Sequence, residues 1–139
     1  MNPSNQLGQS NTTSLLEAHG VYPTAQRLAV ADAMLCRHQH LTADDVYDRV
    51  RRFTHISKAT IYNTLALFSR AGLVREIVAD PSKVFYDSNT SPHHHFFNVD
   101  NGELTDIDHE MLSAPTLTAL PEGMVLDSMD VVVRIKKAR

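Results

Sequence analysis

Ser57-Lys58-Ala59-Thr60-Ile61-Tyr62-Asn63-Thr64-Leu65-Ala66-Leu67-Phe68-Ser69-Arg70-Ala71-Gly72 is the stretch on which the fold turns. Ile61, Leu65 and Phe68 fall on one stripe at helical spacing, while Lys58, Tyr62 and Asn63 fall off it and face solvent. Ser57 opens the helix, and Gly72 stands where a helix ends on a left-handed residue. Upstream, Thr42-Ala43-Asp44-Asp45-Val46-Tyr47-Asp48-Arg49-Val50 predicts a short amphipathic helix. Thr42 is its cap, Asp44 and Asp45 sit in the first turn where the helix dipole favours acids, and Leu41 can staple the start. Before that, Thr24–Arg37 carries Leu28, Ala31 and Leu35 at helical spacing, with Pro23 and Thr24 marking its start. Residues 1–13 are polar and are expected to fray.

Downstream, Leu73–Ala79 and Lys83–Asp87 are β-rich runs separated by Asp80-Pro81-Ser82, which predicts a hairpin. Three helices and a two-stranded ribbon, in that order, describe a winged helix-turn-helix. Ser88-Asn89-Thr90-Ser91-Pro92 reads as a linker. Beyond it, His93–Val99 and Glu103–Ile107 flank Asp100-Asn101-Gly102, where Asn-Gly favours a tight turn. Glu110–Leu120 predicts helix only in pieces, because Pro115 interrupts it. Met124–Ile135 predicts a last strand. The expected fold class is α+β: a winged-helix DNA-binding domain over residues 1–87, then a small α/β domain over 88–139.

Length sets bounds. The 139 residues make one typical domain or two small ones, too few for a barrel enzyme or a full doubly wound dinucleotide domain. Lys and Arg total 13 against 16 Asp and Glu, a net charge of -3, so whole-chain charge does not announce nucleic acid. The halves differ: residues 1–80 carry 8 basic and 7 acidic side chains (8 − 7 = +1), residues 81–139 carry 5 and 9 (5 − 9 = -4). The single cysteine, Cys36, excludes an intramolecular disulfide and any thiolate-rich zinc site. The N-terminal residues carry no charged start and no apolar signal region, and no run approaches the ~18 apolar residues of a membrane span. A cytoplasmic protein with no membrane partner is expected.

Two constellations carry chemistry. On the helix that Ser57 opens, Ser57, Lys58, Thr60, Tyr62, Asn63 and Thr64 offer the donors, acceptors and apolar edges that a major groove requires. Arg27, Arg49, Arg51 and Arg52 are phosphate candidates. An ordinary three-helix core with a solvated polar face would present the same pattern. If the helix does read DNA, one copy would bind weakly, so two readers on two half-sites are expected.

The second constellation is His93-His94-His95, within a chain of eight histidines. In a strand, His93 and His95 point one way and His94 the other, so two imidazoles can converge on one ion. Asp87 can add a carboxylate, and His40 is the candidate fourth donor, with His38 as its alternative. Such a set suits Zn, Fe or Mn.

These stretches together resemble the ferric-uptake-regulator (Fur) family of metalloregulators, over about Leu15 to Asp108. The resemblance rests on His19-Gly20-Val21 through Thr24-x-Gln26-Arg27, on His40–Tyr47, on Ser57–Leu65 as the family's recognition helix, on Ala71-Gly72-Leu73-Val74, and on His93-x-His95 with Gly102-Glu103-Leu104. It implies a homodimer joined through C-terminal strands such as Val131–Ile135. It also implies an AT-rich, inverted-repeat-like operator in double-stranded DNA, and a metal held by His40, Asp87, His93 and His95 that fixes the angle between reader and dimer half. Coupling of ~1–3 kcal/mol between ligand and DNA is the usual size; its sign is not legible in these residues.

The chain departs from the family pattern in places. Asn98 and Asn101 replace the usual Cys-x-x-Cys, so a structural zinc held by four cysteines is expected to be absent. Pro92 stands where a His usually precedes the cluster, which counts against a second metal site. Tyr22 replaces a basic residue, which weakens a minor-groove contact. With the His93–Phe97 run and the Met129–Arg134 ending, these departures resemble the iron response regulator (Irr) subgroup. That resemblance implies control of iron and haem genes, with haem as a candidate signal. Cys36 is followed by Arg37, not by the Cys-Pro pair of some members, so haem would have to use His93, His94 or His95.

Two rival readings remain. Asp87, His93 and His95 also compose the two-His, one-carboxylate triad of non-haem iron oxygenases. That chemistry needs a deep co-substrate pocket, usually in a sizeable β-barrel, and this chain has too few strands. A metal or haem buffer that never touches DNA is the other; sequence-specific, salt-sensitive DNA binding would exclude it.

Overall fold

The computed structural model describes residues 3–113 and 115–139. The chain divides into two compact units, one running to Thr90 and the other from Ser91 to Arg139. No helix among the described residues is long and apolar enough to cross a membrane.

The first unit holds four helices and a small sheet. They are α1 (Pro3–Ala18), α2 (Ala25–Met34), β1 (His40–Leu41), α3 (Ala43–Val50), α4 (Lys58–Arg70), β2 (Arg75–Asp80) and β3 (Lys83–Asp87). The caps are the ones the sequence offers. Thr24 accepts from the Arg27 amide and Ser57 from the Thr60 amide. At α3 the Asp45 amide donates to Thr42 Oγ1 at 3.1 Å, and Asp45 Oδ2 accepts from the Thr42 amide at 3.0 Å, a reciprocal capping box. Gly72, at φ 79, ends α4 with Leu73 N–H on the Phe68 carbonyl and Gly72 N–H on the Ser69 carbonyl. This is a Schellman stop, and its two hydrophobic ends, Leu73 and Phe68, are both in the core. Ile61, Leu65 and Phe68 are fully buried there with Leu16, Val30, Met34 and Val46.

Two features differ from expectation. The polar N-terminal stretch does not fray from the start; α1 runs for 16 residues. Its last turns are anchored, because Leu16 is in the core, Thr12 Oγ1 donates to Asp32 Oδ1 at 2.9 Å, and Gly20 closes a second Schellman stop. The sheet also gains β1, giving the order β1-β3-β2. Ser88 holds β1 in place: its hydroxyl donates to the Arg37 carbonyl at 2.7 Å and accepts from the Gln39 amide at 3.0 Å.

The second unit is a sheet of β4 (His95–Asn98), β5 (Leu104–Asp106) and β6 (Val132–Ile135) in the order β5-β4-β6. β4 is antiparallel to β5 and parallel to β6. The expected long last strand shrinks to four residues. The Val131 amide, which would extend it, donates to His94 Nδ1 at 3.0 Å. Within 110–120, turns and bends replace the expected helical pieces among the described residues. Residues 99–103 connect β4 to β5, and because Asn98 N–H bonds to the Glu103 carbonyl the loop it closes is residues 99–102, with Gly102 N–H on the Asn98 carbonyl. It is longer than a two-residue Asn-Gly turn.

Candidate metal centre and nucleic-acid interface

In the second unit, the β4–β5 register sets His95 directly opposite Asp106. His95 Nε2 lies 3.4 Å and His93 Nε2 3.6 Å from the same Asp106 Oδ1. The two rings meet edge to face, with centroids 4.5 Å apart. His93 Nδ1 donates to the Ser91 carbonyl at 2.6 Å, so a neutral ring turns the lone pair of Nε2 toward the carboxylate. An imidazole nitrogen and a carboxylate at this range can share either a proton or a bound cation. Metal-ligating histidines commonly give their other N–H to a backbone carbonyl in this way. Asp106 was not among the residues picked from the sequence.

In the first unit, β1 and β3 bring His40 opposite Asp87, with ligand atoms within 4.8 Å of each other. Asp87 is buried, and its Oδ1 accepts from the Asn89 amide at 2.8 Å. Each unit thus carries imidazole and carboxylate donors, a set that fits a borderline divalent ion. His38 is exposed and belongs to no such pair among the described residues.

The three adjacent histidines divide between two sets of partners. His93 and His95 turn to Asp106, while His94 accepts from Val131. Where the family pattern has two cysteines, side-chain amides tie the loop: Asn98 Oδ1 accepts from the Asp100 amide at 2.9 Å, and Asn101 Oδ1 from the Glu103 amide at 2.9 Å.

On α4, Lys58, Tyr62 and Asn63 are exposed. Thr64 is a correction: at 5% exposure it packs inward, because it falls three residues after Ile61 and four before Phe68 on the buried stripe. Ser57 and Thr60 hydroxyls sit 2.9 Å apart at the cap. Arg27 Nη1 donates to the Tyr22 carbonyl at 3.0 Å. Tyr62 lies near the ribbon: burial pushes the Tyr86 phenol on β3 above its ordinary 10.0, and the charges of Glu76 and Tyr62 add to the rise. A cavity of about 980 Å³ lies in the same unit, lined by Leu28, Ala29, Cys36, Val50 and Phe53, with the phosphate candidates Arg49 and Arg52 on its wall and none of the candidate metal ligands.

Comparison with known proteins decides the family. The profile of the ferric uptake regulator family matches residues 18–134. The chain belongs to that family. The peroxide-responsive repressor PerR of Staphylococcus epidermidis is 35% identical over 105 residues, covering 75% of this chain and 69% of the relative. Among solved structures, the ferric uptake regulator of Pseudomonas aeruginosa, determined with manganese, superposes with a TM-score of 0.68 at 23% identity, covering 91% of this chain and 98% of that one. The Vibrio cholerae ferric uptake regulator gives 0.66 at 22%, covering 90% and 98%. These likenesses support the fold, a winged helix followed by the family's dimerisation domain. Members of the ferric uptake regulator family are dimeric, metal-binding, DNA-binding regulators and not enzymes, so the oxygenase reading falls.

Proposed function

We propose that this member is a cytoplasmic homodimeric repressor of iron and haem genes whose grip on its operator is set by a divalent metal ion. Residues 1–87 read an AT-rich, inverted-repeat-like operator, through Lys58, Tyr62 and Asn63 on α4 with Ser57, Thr60 and Arg27 at its margins. Residues 88–139 pair the two copies and sense the signal. His40, Asp87, His93 and His95 form one coordination set, which Asp106 joins. The observation that carries the reading is the pair of imidazoles aimed at the Asp106 carboxylate.

A bound divalent ion supplies the positive charge around which these lone pairs can gather. The protein's own part is orientation: the Ser91 carbonyl fixes the His93 ring, and the Asn89 amide fixes Asp87. On this proposal, metal held by His40 and Asp87 together with His93 and His95 would fix the angle between reader and pairing domain. Haem, if it is the signal, has His94 as its candidate ligand, with loss of the Val131 hydrogen bond. A second reading of the signal is peroxide, favoured by relatives at 35% identity that bear that name.

A gel-shift series with the metal-free, Mn, Fe, Zn and haem forms on the protein's own promoter tests both. Loaded and empty forms should differ by about five- to 150-fold in affinity. Equal affinity in every form overturns the switch. A brief peroxide exposure that releases the Fe form and spares the Mn form selects the second reading. Tyr62→Ala should weaken operator binding in all forms, and an unchanged footprint would remove α4 from the reader role.

A further inference from the structure

We propose that Asp44 and Asp48 occupy, in the DNA-free protein, seats that two backbone phosphates take in the complex, with the Tyr47 ring as the platform common to both. The inference rests on the DNA-reading proposal above. Asp44 and Asp48 are one turn apart on the outer face of α3, and Tyr47 lies beside them. Lys58, the first residue of α4, places Nζ 3.6 Å from Asp44 Oδ1 and 5.5 Å from the centre of the Tyr47 ring. Arg51, at the C-terminal cap of α3, places Nε 3.3 Å from Asp48 Oδ1 and its guanidinium carbon 5.6 Å from the same ring. One half-buried tyrosine, packed against the core, therefore aims two cations, and each cation carries a carboxylate.

The four charged side chains are 57–67% exposed, so water screens both pairs and exchange of one oxyanion for another is cheap. The ring attraction for each cation persists through the exchange, because it acts from a different direction than the oxyanion. Lys58 lies four residues before Tyr62, on the same side of α4. A phosphate on Lys58 would thus sit one helical turn from a base-reading side chain and fix its register. Two carboxylates so near a reading helix repel every duplex alike. They make the protein dependent on the remaining, sequence-bearing contacts.

The test is a double-mutant cycle on the full chain, measuring affinity against salt concentration for the operator and for an unrelated duplex. Asp44→Asn should tighten both by about two- to fivefold. The capping partner is Asp45, so this change leaves the start of α3 intact. Lys58→Met should weaken both and lower the salt slope by about one. In the Lys58→Met background, Asp44→Asn should have no further effect. An equal gain in both backgrounds would mean distant repulsion in place of exchange and overturns the proposal, as does no gain in the parent. The same cycle applies to Asp48→Asn with Arg51→Met. Tyr47→Leu should also lower the slope, provided circular dichroism and Tm show that it folds; an unchanged slope removes the platform. Parent protein that ignores the operator defeats the DNA reading and this inference together. Parent binding without coupling in the cycle defeats this inference alone.

Discussion

At Asp106 a half-exposed carboxylate meets two buried imidazole edges, and a strand register brings them together. Replacing it by Ala should leave the fold intact and lower Mn and Fe affinity by at least about tenfold, the low end even for a residue that only supports a ligand. Calorimetric titration that finds parent affinity would remove Asp106 from the set. His93 and His95 stand out in the sequence as part of a run of three histidines, although β4 begins only at His95, so the place of His93 owes nothing to strand alternation. Asp106 does not stand out, because the residue opposite His95 depends on how many residues the connecting loop consumes. A two-residue Asn101-Gly102 turn would have placed Asp108 there; the loop over 99–102 places Asp106. Thr64 misled in the other direction. It looks polar in a sequence, but its methyl group suits the buried stripe of α4.

Helix ends were the most readable elements, since a cap is a local matter between a side chain and the next three amides. Thr24, Thr42 and Ser57 all act as the chain suggests. Thr42→Ala, which removes one arm of the α3 capping box, should cost about 1 kcal/mol. A domain of this size should then melt about 4–8 °C lower, as read by circular dichroism; an unchanged midpoint would mean that solvent replaces the hydroxyl. β1 was illegible because a two-residue strand has no period, and its place comes from Ser88, distant in sequence. β6 was overextended because Val131 looks like strand, yet its amide is taken by the His94 ring. α1 was missed over its polar turns, where only the terminal anchor at Leu16 and Gly20 is visible in the residues.

For the molecule as a whole, the proposed switch has a thermodynamic consequence that one titration can check. If metal strengthens DNA binding by some factor, DNA must strengthen metal binding by the same factor. Manganese affinity measured with and without saturating operator should differ by the ratio found in the gel shifts, and a mismatch would mean a further species in the cycle. The charge asymmetry between halves, +1 against -4, would under the proposed function keep the C-terminal half from adding nonspecific grip on DNA. The loop at residues 99–102 bears on how such proteins diversify. It holds none of the proposed ligands, yet its length acts as a ruler for chemistry some distance along the hairpin. A one-residue deletion there must either strain the connection or slip the strand, and a slip turns every side chain of β5 to the opposite surface. Length changes in an outwardly inert hairpin tip would then surface in the laboratory as failure to hold metal, with every ligand residue still written in the gene.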